Sequence, residues 1–125
     1  MGLLMKKITN LSDIKVGKIQ SFDFDGEEVI IINTGEKIIA LSGICPHADA
    51  PMVEGLLNQK KTTIECPWHN SIFDLASGDV LEGPSYEGLT KFDVEIRDKE
   101  IFLGLNPLWM KLYMQKIFQK VMEIR

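Results

Sequence analysis

Cysteine and histidine are scarce in this chain, with two of each in 125 residues. A small fold stapled by disulfides needs more cysteine than that. Long apolar runs are missing too, and no window approaches the roughly 18 apolar residues of a membrane span. Positive charge is not in excess. The net charge of −4 argues against nonspecific nucleic-acid binding. There is no internal repeat and no low-complexity segment. The opening MGLLMKKITN lacks a secretory pattern, because its short apolar run precedes the lysines. A cytoplasmic protein is therefore expected, in which two cysteines serve as ligands or thiols rather than as a structural disulfide.

What is present reads as one soluble globular unit, with 45% apolar and 26% charged residues. Short β-type runs punctuated by turn residues fill most of it. KIQSFDF (18–24) and EEVIIIN (27–33) flank Asp25-Gly26, a strong hairpin signal. Thr34-Gly35 turns into EKIIALS (36–42), which gives a three-stranded meander. TTIEC (62–66) is a further strand, and Ser77-Gly78 turns between SIFDLA and DVLE. LTKFDVEI (89–96) and EIFLGL (100–105) make a last hairpin around Asp98. Strands this short and evenly spaced predict an all-β sandwich or barrel. Residues 43–85 form a loop-rich unit set between the early and late strands.

From Pro107 the texture changes. LWMKLYMQKIFQKVMEIR places Met110, Tyr113, Met114, Ile117, Val121 and Ile124 at helical spacing, with Lys111, Gln115, Lys116, Gln119, Lys120 and Glu123 mostly on the other side. The pattern predicts an amphipathic helix over 106–125, opened by Asn106-Pro107. Four basic residues against Glu123 give this segment +3 and leave −7 for residues 1–105. Its apolar stripe suits packing on the sheet, self-association, a redox partner or a membrane surface.

All the cysteine and histidine lies in two short segments, GICPHADAPM and ECPWHNSIF. The pattern is Cys45-x-His47, eighteen residues, then Cys66-x-x-His69. Each half offers one soft thiolate, suited to iron–sulfur clusters and zinc, and one imidazole, suited to zinc, copper and iron. In a two-iron, two-sulfide cluster, Cys45 and Cys66 could hold one iron while His47 and His69 hold the other. Pro46 and Pro67 stiffen the two turns and lower the entropy lost on ordering the ligands. Gly43, Gly55, Gly78 and Gly83 permit close backbone approach.

The paired C-P-H and C-P-W-H motifs, the APMVEG after the first and the SIFDLASGDVLEGP after the second, resemble a Rieske-type [2Fe–2S] ferredoxin. The resemblance spans residues 6–105. It implies one cluster per chain held by Cys45, His47, Cys66 and His69, on a β-sandwich carrying an inserted cluster-binding unit. It also implies a proline-containing cover loop around Gly83-Pro84-Ser85. The domain would occupy 1–105, followed by the helical extension 106–125. The function implied is that of a low-potential electron carrier, fed by a reductase and emptied by an oxygenase or similar acceptor.

Mixed ligation makes the cluster two units less negative than four thiolates would, so an added electron is less opposed. Rieske centres accordingly span roughly −150 to +300 mV, against about −400 mV for all-cysteine plant-type ferredoxins. High-potential relatives carry a disulfide between the ligand loops and a tyrosine hydroxyl on a ligand sulfur. Ala50, Trp68 and Phe73 stand at those positions here and can do neither. Ser71 matches the hydroxyl that donates to a bridging sulfide. A potential low for the family is expected. Trp68 taken alone reads as packing, and in this context as a shield or a neighbour of the electron exit. Asp49 reads as a solvated carboxylate.

Competing readings are a structural zinc module for protein interaction and a small Rieske subunit of a nitrite-reductase-type complex. Zinc Cys₂His₂ sites usually place both cysteines before both histidines, unlike this chain. A complete oxygenase would need two further histidines and a carboxylate for a mononuclear iron, and both histidines are already used. A respiratory Rieske subunit would need a membrane anchor.

Overall fold

The computed structural model describes residues 5–46, 49–68 and 70–104. Its strands are β1 (Met5–Asn10), β2 (Ile19–Phe24), β3 (Glu27–Asn33), β4 (Ile38–Ser42), β5 (Leu56–Leu57), β6 (Thr63–Glu65), β7 (Ile72–Asp74), β8 (Val80–Glu82), β9 (Lys91–Arg97) and β10 (Glu100–Gly104). The expected all-β architecture is what these residues adopt. The predicted helix over 106–125 lies outside the described residues. Among the described residues, no helix is long and apolar enough to cross a membrane.

Six strands join in the order β1-β10-β9-β4-β3-β2, and four more form a second sheet, β5-β6-β7-β8, between β4 and β9 in the chain. The β2–β3 hairpin closes on Asp25 (φ 51°) and Gly26 (φ 90°), with Phe24 opposite Glu27. Two positive φ values in a two-residue turn match the right-handed twist of the flanking strands. The meander continues antiparallel into β4, which begins at Ile38 rather than at 36 because the Thr34 N–H closes a turn on the Lys37 carbonyl (3.0 Å).

Two strands escaped the sequence reading. β1 pairs with β10 from Met5↔Gly104 to Asn10↔Glu100. MKKITN is too polar for a local strand signal, and its partner lies at the far end of the described chain. β5, only two residues long, carries no periodicity.

Strand β3 explains how the layers meet. Val29, Ile30, Ile31 and Ile32 are all fully buried, so the strand is covered on both faces. Val29 and Ile31 pack in one core with Phe24, Ala40, Phe92, Ile101 and Leu103. Ile30 and Ile32 face a second core containing Leu41, Met52, Ile64, Phe73 and Leu75, together with both cysteines. Each such side chain contributes about 1.5–3 kcal/mol of burial. The second core seats the β5–β8 unit on the meander.

Candidate metal centre

The segments holding the two cysteines fold alike. In the first, the Cys45 N–H donates to the Ala50 carbonyl (2.9 Å) and the Asp49 N–H donates back to the Cys45 carbonyl (2.8 Å). In the second, the Cys66 N–H donates to the Ser71 carbonyl (2.8 Å) and the Asn70 N–H to the Cys66 carbonyl (3.2 Å). The fifth residue of each loop is left-handed, Asp49 at φ 56° and Asn70 at φ 61°. Antiparallel pairs flank both, Ile44↔Pro51 and Glu65↔Ile72. A cysteine, a proline and a left-handed Asx residue therefore sit at the same places in two six-residue loops.

The register of the two loops has a consequence for the motif. Counting from each cysteine, position 47 matches Trp68, and His69 matches position 48. The unequal spacings Cys-x-His and Cys-x-x-His thus fall on segments closed by the same pair of backbone hydrogen bonds. His47 and His69 themselves lie outside the described residues. Among the described ones, no group of three or more His, Cys, Asp or Glu side chains gathers.

Cys45 and Cys66 are fully buried, belong to one apolar cluster and form no disulfide. Two soft sulfur donors at matching places, shielded from water, are a donor set that suits an iron–sulfur centre or zinc. The first loop is tied to β3 through the Gly43 N–H and the Glu28 carbonyl (2.8 Å), and Met52 N–H returns to the Gly43 carbonyl (2.8 Å). The first cysteine loop is therefore anchored to the core rather than loosely tethered.

Ser71 closes the second loop and is fully buried. Its Oγ accepts a hydrogen bond from the Ser85 N–H (3.1 Å), which fastens the Gly83-Pro84-Ser85 segment onto this loop. Gly83 (φ 107°) is pressed so close that a Cβ there would stand 2.5 Å from Ser71 Cα. Ala50 and Phe73 are fully buried apolar side chains. Trp68 is 57% exposed, so it fills no core of the described structure.

Sequence reasoning missed three residues here. Asn70 and the backbone of Asp49 supply the left-handed turn, and Asx residues at a fixed offset from each cysteine were the available signal. The role of the Ser85 amide had no signal, because a backbone donor is not written in the sequence. A hydrogen bond from Arg97 holds the Glu95 carboxyl below its ordinary value, and one to Asp25 raises Lys6.

Comparison with known proteins agrees with this geometry. The family model of the Rieske [2Fe-2S] domain matches residues 5–93. Human apoptosis-inducing factor 3 is 27% identical over 84% of the chain, which spans 17% of that relative's length, as it does of the mouse protein. The ferredoxin component of the naphthalene 1,2-dioxygenase system of Pseudomonas putida is 29% identical, with 77% of this chain and 90% of that one covered. Among solved structures, the ferredoxin of carbazole 1,9a-dioxygenase from Nocardioides aromaticivorans IC177 superposes with a TM-score of 0.77 at 29% identity, covering 82% of this chain and 99% of that one.

Proposed function

Because the chain belongs to the Rieske [2Fe-2S] domain family, we propose that it is a one-electron carrier, taking electrons from a flavin-containing reductase and passing them to a terminal oxygenase. When bound, a [2Fe–2S] centre takes up and releases one electron. Cys45 and Cys66 hold one iron in this reading, and His47 and His69 hold the other. The observation that carries the reading is the pair of matching loops, each presenting a buried thiol at its first position. The oxygenase as acceptor is supported by the relatives of similar length, which are ferredoxins of dioxygenase systems.

The chain's residues serve such a carrier in several ways. Apolar side chains around Cys45 and Cys66 exclude water from the sulfur ligands. Backbone hydrogen bonds within each loop fix the thiols before metal arrives, which lowers the ordering cost of binding. The exposed Trp68, one residue before His69 in the sequence, offers the partner an apolar contact in this reading. The acidic body, −7 over residues 1–105, favours encounter with basic partner surfaces.

The test is a relay assay. With a ferredoxin reductase, NADH and cytochrome c as a generic acceptor, the loaded protein is expected to be required for cytochrome c reduction. Cys66→Ser is expected to abolish the relay together with iron retention. Equal reduction rates with and without loaded protein contradict the carrier reading.

A further inference from the structure

The Ser71 hydroxyl has one proton to donate and two lone pairs to accept with. One acceptor position is taken by the Ser85 N–H at 3.1 Å. Ser71 is fully buried, and among the described residues no acceptor takes its own proton. A buried hydroxyl proton without an acceptor is costly, and native folds rarely leave one so. The same residue's carbonyl closes the Cys66 loop, so the hydroxyl is held next to a ligand loop by its own backbone.

We propose that Ser85 is a positioning residue: its backbone N–H holds the Ser71 hydroxyl in the rotamer that aims the proton at sulfur of the bound centre. This rests on the ligand set proposed above. Two contacts fix the amide that does the holding. The Ser85 Oγ donates to the Glu87 carbonyl (2.7 Å), which orients the segment from its far side. Gly83 lets the same segment lie against Ser71, where a Cβ would come within 2.9 Å of Oγ. An O–H that itself accepts a hydrogen bond is a stronger donor. Donation to sulfur stabilises the more negative reduced centre, so the amide raises the reduction potential through Ser71.

The matched loops supply an internal contrast. Ala50 occupies in the first loop the place of Ser71 in the second, equally buried and with a methyl instead of a hydroxyl. Donation of this kind is therefore one-sided, and the cover segment is fastened to the side that has it.

The experiment is a double-mutant cycle on the loaded chain, read as reduction potential by protein-film voltammetry. Ser71→Ala is expected to lower the potential, and Ser85→Pro, which removes the N–H, to lower it in the same direction by less. The double variant should fall no further than Ser71→Ala alone. Ser85→Ala keeps the N–H but loses the Oγ contact to the Glu87 carbonyl, and should fall between the wild-type and Ser85→Pro potentials. Hydrogen exchange of the Ser85 amide gives a second readout that does not depend on the proline variant folding. It should be about tenfold faster in Ser71→Ala than in wild type. Additive shifts, a wild-type potential in Ser85→Pro, or unchanged exchange at Ser85 overturn the proposal and leave the ligand reading standing. A wild-type chain that takes up no iron and sulfide overturns the ligand reading itself, and this proposal with it.

Discussion

At the scale of single residues, the candidate centre depends on backbone conformations that few side chains accept. Asn70 sits at φ 61° with its N–H bonded to the Cys66 carbonyl, so the turn that presents the second thiol needs a left-handed residue there. Asparagine accepts this region readily, glycine without penalty, and a β-branched side chain only under strain. Asn70→Gly is expected to leave stability within a few tenths of a kcal/mol, while Asn70→Val costs about 1–2 kcal/mol. Urea denaturation of the two variants checks both, and equal stabilities would contradict the turn's role. The ligand candidates were the most legible part of the sequence, since all of its thiol and imidazole donors are four side chains at a distinctive spacing. What supports them was not legible. The left-handed residues show only a weak Asx preference, and the Ser85 donor belongs to the backbone.

At the scale of elements, two hairpins use the same turn with different fitness. Asp25-Gly26 closes β2–β3, and Asp98-Lys99 closes β9–β10 with Arg97 opposite Glu100. Asp98 (φ 47°) and Lys99 (φ 63°) are both left-handed, so the second hairpin carries a lysine where the first has glycine. Lys99→Gly is expected to stabilise the protein by about 0.5–1 kcal/mol, relief of αL strain outweighing the added freedom of the unfolded chain. A thermal melt that shifts downward would show that the lysine side chain contributes more than its strain costs. The hairpins themselves were readable because their signals are local. Asp-Gly between two β-type runs marked one, and Asp98 between two apolar runs marked the other. β1 was not readable, because what makes MKKITN a strand is a partner about 95 residues away, whose pairing leaves no trace in the segment.

At the scale of the whole molecule, the order of sheets joins the proposed centre to the body of the fold. β3 is buried on both faces and belongs to both cores, one shared with β9 and β10, the other with the thiol-bearing loops. A carrier of the kind proposed would have little room to reorganise when its charge changes, which would suit gaining and losing an electron without moving. The all-β class and the inserted loop unit could be anticipated from strand length and spacing. The double burial of β3 was visible as an unbroken Val-Ile-Ile-Ile run, though only the structure shows which core each residue enters. Metal and sulfide content combined with electron paramagnetic resonance tests the central claim most directly. The account predicts two irons and two acid-labile sulfides per chain after anaerobic purification, and one electron per chain on reduction. The reduced signal should have an average g below the free-electron value and be lost in Cys45→Ser. Stoichiometric zinc, or a colourless chain that resists iron and sulfide reconstitution, would contradict it and leave the paired loops as a structural clip.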